Sequence, residues 1–381
     1  MSKSKRSVKG GDRSPAGGGK PSSAAALQAR LKQLDETLLR LINERASLTV
    51  KLAQASRAAS PGEAAPPLDP LVGTSDALAR ATAASTGPLP ANALQAVFRE
   101  LLSACRALVR EPSVAFLGPL YSYSHLAAIH RFGQSVRFVP VGTIAAVFEE
   151  VHRGHSDFGL VPLENSTDGR VADTLDMFAR MPVRICGEVE LAIHHALLAR
   201  CPRSEIKEVY SRPQALSQCR NWLARHLPAA RTIEVTSTST AAQLACEKPG
   251  AAAIASVQAG IHYGLNVLAD QIEDNPGNTT RFAIIGGQEA PRTGHDKTAL
   301  MFQVEHRPGG LADAINVFKR NRLNMTWIES FPVPGTKGAY LFFVELEGHQ
   351  SDMRVRRALR SLAEKTLRLE ILGSYAAAEP A

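Results

Sequence analysis

The sequence is poor in cysteine and in aromatic residues. Its 381 residues include five cysteines and two tryptophans, and aromatic residues make up 6% of the chain. The cysteines are odd in number and form no C-x-x-C pair, which argues against both a disulfide framework and a zinc site. We therefore expect reduced thiols with a structural role and no bound metal.

Long hydrophobic runs are also absent. A helix that spans a membrane needs about 18 or more continuous apolar residues, and no stretch of the sequence approaches that length. The basic N-terminus is not followed by the apolar segment of a secretion signal. The sequence therefore predicts a cytoplasmic protein that does not associate with membranes.

The chain carries an excess of positive charge, and the location of that excess decides its meaning. The 44 Lys and Arg residues exceed the 36 Asp and Glu residues and give a net charge of +8. Residues 1–20 carry +5 and residues 23–110 carry +3, so the rest of the chain is neutral. Because most of the excess lies in a polar tail, we do not expect binding to nucleic acid.

The N-terminal quarter divides into a tail and a helical segment. Residues 1–22 are mostly Ser, Gly, Lys and Arg, a composition typical of disorder. From Leu27 onward leucines recur at helical spacing, which predicts a long amphipathic helix of about seven turns. A second helix is predicted over roughly residues 91–110. Two helices leave apolar stripes uncovered, so we expect the segment 23–110 to form a homodimer.

The middle of the chain, residues 113–287, alternates short apolar runs with helical segments. This pattern predicts a mostly parallel sheet covered by helices. Its length suits two small α/β lobes with a cleft between them for a small polar ligand. The predicted strands are Val114–Leu117, Val136–Val141, Phe158–Val161, Ile185–Glu190, Ile193–Ala199, Glu208–Tyr210, Ala251–Ala255 and Phe282–Ile285.

The C-terminal residues 297–375 have the pattern β-α-β-β-α with a further strand at the end. This order is typical of a ferredoxin-like α+β module. The predicted elements are strands Ala299–Glu305, Met325–Phe331, Ala339–Glu345 and Leu369–Gly373, with helices Leu311–Arg320 and Asp352–Thr366.

Four polar segments of the middle region are candidates for chemistry. A helix that begins near Ser124 with a Ser cap can hold a carboxylate, although plain capping is the commoner role. Glu164, Asn165 and Ser166 follow a hydrophobic strand at the end where α/β sheets bind ligands. The hydroxyl cluster 237–240 precedes an Ala-rich helix, and turns and caps account for most of it.

The fourth segment is an irregular loop that leads into the last strand of this region. Within it Asn278 and Thr280 supply polar groups, and Arg281 can recognise a carboxylate through two parallel hydrogen bonds. The four segments share an order and a spacing with a known family.

Together these segments resemble the prephenate dehydratase family over residues 113–287. The sequence departs from the family pattern at Leu120, Tyr121, Tyr123 and Arg212. The matching strings are Phe116-Leu117-Gly118-Pro119 with Ser124-His125, Val161-Pro162-Leu163-Glu164-Asn165-Ser166 with Gly169 and Thr174-Leu175-Asp176, Ser211 with Pro213-Gln214-Ala215-Leu216, the residues 252–256, Tyr263-Gly264-Leu265, and Asn278 with Thr280-Arg281-Phe282.

The resemblance implies a two-lobed, periplasmic-binding-protein-like catalytic domain. Its reaction is the decarboxylating dehydration of prephenate to phenylpyruvate in phenylalanine biosynthesis, without metal or cofactor. Thr280 is the implied proton donor to the leaving hydroxyl, and Arg281 is expected to pair with a carboxylate. The implied catalytic residues are Thr280, Glu164, Asn165 and Ser166, and the substrate-binding residues are Ser124, Arg281, Asn278, Ser237, Thr238, Ser239 and Thr240.

The helical segment resembles the helical chorismate mutase family. The match lies in Leu34-Asp35-Glu36, Leu38-Leu39 and Glu44-Arg45. Arg45 keeps one cationic position, whereas Gln28 and Ser56 stand where that family has Arg and Lys. A mutase pocket needs several cations around its dianionic substrate, so we expect a dimerisation segment with weak or no mutase activity. The alternative is an active mutase. If the alignment with that family is shifted, the missing positive charge is supplied by Arg30, Lys51 and Arg57.

The C-terminal module resembles an ACT domain of the phenylalanine-binding type. The matching segments are 307–311, 324–326 and 328–332, with departures at Gly310 and Phe331. Phenylalanine is the implied effector, although pairing of modules without a ligand is the alternative. The implied effector-binding residues are Gly309, Gly310, Leu311, Asn324, Glu329 and Ser330.

The order of the three modules is that of the bifunctional P-protein family. Pairing of the helical segments gives a homodimer, and pairing of ACT domains would raise it to a homotetramer. A hypothesis from another class is a non-catalytic amino-acid sensor, because two-lobed α/β folds also serve as solute-binding proteins.

Overall fold

The structure, a computed structural model, describes residues 23–59, 82–333 and 339–378. The predicted disordered tail, residues 1–22, lies outside the described residues. So does most of the Ala- and Pro-rich stretch that connects the two predicted N-terminal helices.

The N-terminal segment contains two long helices among its described residues, α1 (Ala24–Ala59) and α2 (Ala91–Ala107). Both confirm the predicted helical pattern. The leucines of α1 are largely uncovered, and Leu34 and Leu38 expose 49% and 56% of their surfaces. Neither α1 nor any other described helix combines the length and apolar composition that crossing a membrane requires.

The α/β region begins after α2 and contains eleven strands and seven helices among the described residues. In chain order they are β1 (Ser113–Leu117), α3 (Tyr123–Phe132), β2 (Arg137–Val141), α4 (Ile144–His152), β3 (Phe158–Asn165), β4 (Gly169–Arg170), α5 (Ala172–Arg180), β5 (Arg184–Ala192), β6 (Ala196–Ala199), β7 (Glu208–Ser211), α6 (Pro213–Gln218), α7 (Arg220–His226), β8 (Arg231–Glu234), α8 (Thr238–Glu247), β9 (Ala251–Ala255), α9 (Val257–Tyr263), β10 (Asn266–Ala269) and β11 (Thr279–Gly286).

The first lobe is built on a mixed sheet with the order β2-β1-β3-β11-β5, and β4 pairs with β3. The prediction of a mostly parallel sheet is wrong here. β1 is parallel to β2 and β3, but β11 is antiparallel to both β3 and β5. The reason is the path of the chain, which leaves this lobe after β5 and returns from the other lobe as β11, running back between β3 and β5.

The second lobe has its own sheet, with the order β10-β6-β9-β7-β8. β7 is parallel to β8 and β9, whereas β6 is antiparallel to β9 and β10. The short strands β4, β8 and β10 are not among the strands that the sequence predicts. Two crossing segments join the lobes, one after β5 and one before β11, and they are linked where the Ile193 amide donates to the Asn278 carbonyl at 2.8 Å.

The C-terminal unit confirms the predicted strand and helix order and includes the last strand. Its sheet is antiparallel with the order β13-β14-β12-β15, the arrangement of a ferredoxin-like fold. The elements are β12 (Asp296–Gln303), α10 (Gly310–Arg320), β13 (Met325–Pro332), β14 (Tyr340–Glu347), α11 (Met353–Ala363) and β15 (Arg368–Ala376).

The two faces of the C-terminal sheet have different neighbours. Phe302, Phe318 and other buried side chains form a core with α10 and α11 on one face. On the other face Met301 and Phe343 belong to the same apolar cluster as Phe178 and Leu163 of the first lobe. The C-terminal unit is therefore packed directly on the sheet that carries β3 and β11.

A glycine marks the closest approach of these two units. Gly373 on β15 has φ of 155°, and a Cβ placed on it would overlap the carbonyl oxygen of Ile185 on β5. Only glycine lets the two main chains come this close.

Candidate active site

A cavity of about 860 Å³ lies between the two lobes. One side of the cavity is lined by the C-terminal ends of β1 and β3 and by the beginning of β11, and the other side is lined by the beginnings of α6 and α8. Six of the predicted site residues line it, namely Ser124, Asn165, Ser237, Thr238, Asn278 and Thr280. Sequence segments far apart in the chain thus meet at one cleft.

The pairing of β3 with β11 decides which side chains reach the cavity. Thr280 lies opposite Asn165, and Arg281 lies opposite Glu164. Successive residues of a strand point to opposite faces of the sheet. Thr280 and Asn165 therefore face the cavity, whereas Arg281 and Glu164 face the C-terminal unit.

Asn165 holds the hydroxyl of Thr280. Its side-chain carbonyl accepts hydrogen bonds from the backbone amides of Thr167 and Asp168, both at 2.9 Å. These two donors fix the orientation of the amide group, so its Nδ2 donates to Thr280 Oγ1 at 2.9 Å. The oxygen of Thr280 acts as acceptor in this contact, and its own proton is available to a group in the cavity.

A hydrogen-bonded chain continues from this pair across the cleft. Asn165 Nδ2 also donates to Asn278 Oδ1 at 2.9 Å, and Asn278 Nδ2 donates to Gln218 Oε1 at 2.9 Å. Gln218 in turn lies 3.0 Å from His195 Nε2, and His195 Nδ1 lies 2.9 Å from the hydroxyl of Tyr123. The network joins side chains of both lobes and the crossing segment.

The far end of this network is uncharged at neutral pH. Burial lowers the pKa of His195, opposed by the hydrogen bond that His195 makes to the Gln218 carbonyl oxygen, so the ring is neutral. With its proton on Nε2, His195 donates to Gln218, and the Tyr123 hydroxyl, which donates to the His194 carbonyl at 2.6 Å, lies beside the unprotonated Nδ1. Burial raises the pKa of Tyr123 well above its ordinary value, so this hydroxyl keeps its proton.

His125 lies behind the cavity and is also neutral. Burial, reinforced by His262, lowers its pKa to about 4. Its ring stacks on Phe116 with 4.9 Å between centroids, and its Nδ1 accepts from the Tyr121 amide at 3.0 Å. A neutral, packed imidazole supports the neighbouring Ser124 and does not exchange protons at neutral pH.

Several helices begin at the cavity, among them α3 and α8. α3 begins at Tyr123, one residue before the predicted start near Ser124, and Ser122 is its cap. Ser124 then lies in the first turn and lines the cavity. α8 is capped by Ser237, which accepts from the amide of Thr240 at 2.9 Å. Free backbone amides at both ends favour an anionic ligand.

Three predicted residues stand beside the cavity without lining it. Ser166 Oγ accepts from the Thr279 amide at 2.9 Å and thereby joins the end of β3 to β11. Thr240 shares a 2.7 Å hydrogen bond with Ser237 and completes the cap of α8. Ser239 is fully buried, and its hydroxyl has no hydrogen-bond partner within the described residues.

Arg281 does not line the cavity in this structure, in contrast to its predicted pairing with a substrate carboxylate. Its Nη2 lies 2.6 Å from Glu345 Oε1 on β14, and its Nη1 lies 3.2 Å from Glu164 Oε2. Glu188, 3.6 Å from Arg281, also pairs with Lys297 at 2.7 Å. These charged groups form an ion cluster between the first lobe and the C-terminal unit. Glu164, likewise predicted as catalytic, belongs to this cluster.

Two other arginines line the cavity. Arg170 Nη1 donates to Glu329 Oε2 and to the Ser330 carbonyl, both at 2.8 Å, so it connects the cavity to β13. Arg212 forms no ion pair with any residue that the structure describes. The sequence marked Arg212 only as a departure from a family pattern and gave no sign of Arg170.

Sequence reasoning also missed Gln218, His195 and Tyr123. Gln218 ends α6, a helix that begins inside the Pro213-Gln214 motif, so its place in that motif was the available signal. His195 lies on the crossing segment between β5 and β6, where no local pattern marks it. No cluster of three or more potential metal ligands occurs in residues 23–59, 82–333 and 339–378.

The predicted effector residues fall into three places. Gly309 has φ of 81° and precedes α10, and Gly310 has no room for a Cβ, which would lie 2.7 Å from the Glu305 carbonyl oxygen. Leu311 packs against the core beneath α10. Asn324 lines a separate surface groove of about 470 Å³.

Glu329 and Ser330 lie on the edge strand β13 and contact Arg170. No hydrogen bond or ion pair among the described residues joins them to the turn at Gly309 and Gly310. Within one chain the predicted effector residues therefore do not form a single site.

Arg45, the predicted remnant of a mutase site, is half-buried on α1. It forms no ion pair in the described part of the chain. α2 is the helix that packs against α1.

Two family models match the chain. The model described as prephenate dehydratase matches residues 114–290. The model described as chorismate mutase type II matches residues 27–110. Together they cover the helical segment and the two lobes.

Similar proteins are bifunctional enzymes. The bifunctional chorismate mutase/prephenate dehydratase of Aquifex aeolicus is 40% identical over 350 residues, which are 92% of this chain and 96% of that protein. The enzyme of the same description from Stutzerimonas stutzeri is 39% identical over 352 residues, with the same two coverages, 92% and 96%.

Solved structures are similar to this chain over about 70% of its length. A prephenate dehydratase from Arthrobacter aurescens, described as a complex with L-Phe, is 34% identical with a TM-score of 0.66 and covers 70% of this chain and 90% of that one. A chain described as GqqA, a quorum-quenching acylase, is 29% identical with a TM-score of 0.64 and covers 70% of this chain and 98% of that one.

A fold shared by proteins of two described activities does not by itself decide between them. The identity of about 40% along nearly the whole length does, because it includes the helical segment, both lobes and the C-terminal unit. The resemblance to prephenate dehydratase is thereby confirmed. The chain belongs to the bifunctional chorismate mutase/prephenate dehydratase family, as a prephenate dehydratase with a chorismate mutase domain at its N-terminus.

Proposed function

We propose that the cavity between the lobes binds prephenate and that Thr280 donates the proton to its leaving hydroxyl. The observation that carries this proposal is the contact of Asn165 with Thr280. The side-chain amide of Asn165 is held in place by two backbone N–H donors, and its Nδ2 donates to the hydroxyl oxygen of Thr280. The Thr280 proton is thus directed to the cavity, where a substrate hydroxyl would accept it.

Besides this proton donor, the reaction requires only that the protein position the substrate. When the bond to the ring carboxylate of prephenate breaks, carbon dioxide leaves and the electron pair enters the ring. The bond to the ring hydroxyl breaks at the same time, and a proton from Thr280 converts the departing hydroxide to water. Water from solvent returns a proton to Thr280. Because the ring becomes aromatic, positioning and one proton donor are sufficient.

The polar wall of the cavity orients the substrate. Ser124, Ser237, Thr238 and Asn278 supply hydroxyl and amide groups at the cavity surface. The N-terminal ends of α3 and α8 add partial positive charge that favours an anionic substrate. Ser166, Thr240 and Ser239 act indirectly, because they hold β11 and α8 in place.

The two lobes act like those of a periplasmic-binding protein. Only two chain segments cross between them among the described residues, and the hydrogen-bonded network of Gln218 and His195 spans the same cleft. A small rotation about these segments would close the lobes on the substrate and exclude water. The proposed domain bounds remain 23–110 for the helical segment, 113–287 for the dehydratase and 297–375 for the regulatory unit, and the order of the elements supports them.

The C-terminal unit acts as an ACT domain with phenylalanine as effector. Its strand order, its motifs and the description of the Arthrobacter aurescens relative as a complex with L-Phe support this role. Because Arg170 lines the cavity and also contacts Glu329 and Ser330, an effector near β13 would act on the cavity. Gly309, Gly310, Leu311 and Asn324 would complete the site together with residues of a second chain.

The helical segment forms a homodimer and has weak or no mutase activity. Eight leucines of α1 leave between 49% and 61% of their surfaces exposed, which a second copy of the segment would cover. Arg45 is the one cation carried over from the mutase pattern, and a mutase pocket needs several. An active mutase is the second candidate, because the family model spans the whole segment.

One set of assays tests these proposals. The purified full-length chain is given prephenate, and the formation of phenylpyruvate is followed with and without phenylalanine. We expect turnover that phenylalanine reduces, whereas binding without turnover would support the amino-acid sensor. The same protein is then given chorismate. Rapid loss of chorismate would establish the bifunctional alternative, and its persistence would support the dimerisation role.

A further inference from the structure

The cavity contains fewer available cations than its substrate requires. Prephenate carries two carboxylates, and the predicted partner, Arg281, faces the C-terminal unit in the ion cluster with Glu345. Arg170 lines the cavity, but its guanidinium is engaged by Glu329. A dianion bound without a neighbouring cation would lose the hydration of both charges.

Arg212 is placed to supply that charge. It lines the same cavity as Thr280, from the second lobe, and its side chain is exposed. Among the described residues it has no ion-pair partner, in contrast to Arg170. Its charge is therefore free for a ligand.

The backbone around Arg212 is firmly anchored even though the side chain is free. The preceding residue, Ser211, is fully buried and donates its hydroxyl to the Ile254 carbonyl at 2.6 Å. The Arg212 carbonyl accepts from the Leu216 amide at 3.0 Å in the first turn of α6. An anchored backbone with a free guanidinium is suited to hold a carboxylate in a defined place.

We propose that Arg212 binds the pyruvyl carboxylate of prephenate and so determines substrate affinity. This inference rests on the dehydratase reaction in the cavity. The other carboxylate of prephenate departs as carbon dioxide, and its charge moves into the ring as it leaves. A cation bound to it would stabilise the substrate more than the transition state and would slow the reaction. The pyruvyl carboxylate keeps its charge throughout, so an arginine can bind it without that cost.

Two kinetic consequences follow from this choice of carboxylate. The contact is equal in substrate and transition state, so its removal raises KM and leaves kcat nearly unchanged. Phenylpyruvate retains the same carboxylate. Its affinity as a product inhibitor should therefore fall by the same factor as that of prephenate.

The test compares Arg212→Gln and Arg212→Lys with a control, Arg225→Gln, in the full-length chain. Arg225 lies on α7 in the same lobe, is exposed and does not line the cavity. Loss of a charge-assisted contact is worth about 1.5–3 kcal/mol, or roughly 10- to 150-fold. We expect Arg212→Gln to raise KM for prephenate and Ki for phenylpyruvate by that factor, with kcat within about threefold. Arg212→Lys should retain part of the affinity, and the control should match the wild type.

Two results would overturn the inference. An unchanged KM in Arg212→Gln would remove Arg212 from the substrate site. A raised KM with an unchanged Ki for phenylpyruvate would place it on the departing carboxylate. Either failure is distinguishable from a failure of the catalytic proposal, because a Thr280 variant should lose kcat whatever the role of Arg212.

Discussion

The ion cluster around Arg281 gives the sharpest prediction for stability. Glu345 is fully buried, and its Oε1 accepts from Arg281 at 2.6 Å and from the Tyr375 hydroxyl at 2.9 Å. Its Oε2 has no partner among the described residues. Arg281→Met keeps most of the apolar stem but leaves buried carboxylates without their cation. Breaking a buried pair in this way costs about 3–5 kcal/mol.

The direction of the pH dependence follows from Glu345. Burial, opposed by the charge of Arg281, raises the pKa of Glu345 above its ordinary value. The folded state then holds this proton more tightly than the unfolded state, so stability falls as pH rises above the ordinary carboxyl pKa. Arg281→Met removes the opposing charge and raises the pKa of Glu345 further. The loss of stability should therefore be larger near about pH 8 than near about pH 5.5.

Unfolding around the ion cluster can be followed by the fluorescence of a tryptophan beside it. Trp327 lies 5.8 Å from the Arg281 guanidinium, and Trp222 is the only other tryptophan in the chain. In a Trp222→Phe background, fluorescence during urea unfolding reports the interface directly. Adding Glu345→Gln to Arg281→Met removes the uncompensated charge and should recover most of the loss, a strongly non-additive pair. A single variant that loses less than about 1 kcal/mol would refute the reasoning.

Three further predictions concern other parts of the chain. Gly373→Ala should destabilise the contact between β15 and β5 by about 1–3 kcal/mol because its Cβ has no space, whereas Gly287→Ala, with open space around it, should be neutral in the same thermal unfolding assay. Leu34→Glu combined with Leu38→Glu should halve the mass of the assembly in analytical ultracentrifugation, because pairing through α1 is lost whereas pairing through the ACT domains is not, and an unchanged mass would contradict the role of α1. Protonation of His125, whose pKa is lowered to about 4, is favoured in the unfolded state, so stability should decline as pH falls from about 6.5 towards 4. His125→Gln should flatten that decline, and an unchanged slope would contradict the assignment.

The sequence predicted most elements because their patterns are local. The leucine spacing of α1 and the apolar runs of β1, β3 and β9 depend on neighbouring residues alone. The ferredoxin-like order of the C-terminal unit was readable for the same reason. The mixed sheet of the first lobe was not, because the insertion of β11 between β3 and β5 joins segments that lie about a hundred residues apart.

The orientation of Arg281 has a specific cause. The sequence pattern predicts that the last strand begins at Phe282 and that Thr280 and Arg281 lie in an irregular loop, where both could face a ligand. The strand begins at Thr279 instead. Once both residues belong to a strand, its two-residue period sends Thr280 to the cavity and Arg281 to the opposite face.

The remaining part of the site depends on tertiary contacts. Asn165 and Thr280 are 115 positions apart in the chain, and only the β3–β11 register makes them partners. His195 and Gln218 meet across the cleft through contacts that no local pattern encodes. The family motifs named Asn165 and Thr280, but not the hydrogen bond that gives the pair its chemistry.

The most direct test of the central claim is the turnover of prephenate by Thr280→Val, with Thr280→Ser as the matched control. Valine keeps the shape and the strand preference of threonine but has no proton to donate. We expect kcat to fall by roughly 10²- to 10⁴-fold in Thr280→Val, with an unchanged fold and a KM close to that of the wild type, and we expect serine to retain most activity. Wild-type turnover in a folded Thr280→Val protein would contradict that claim.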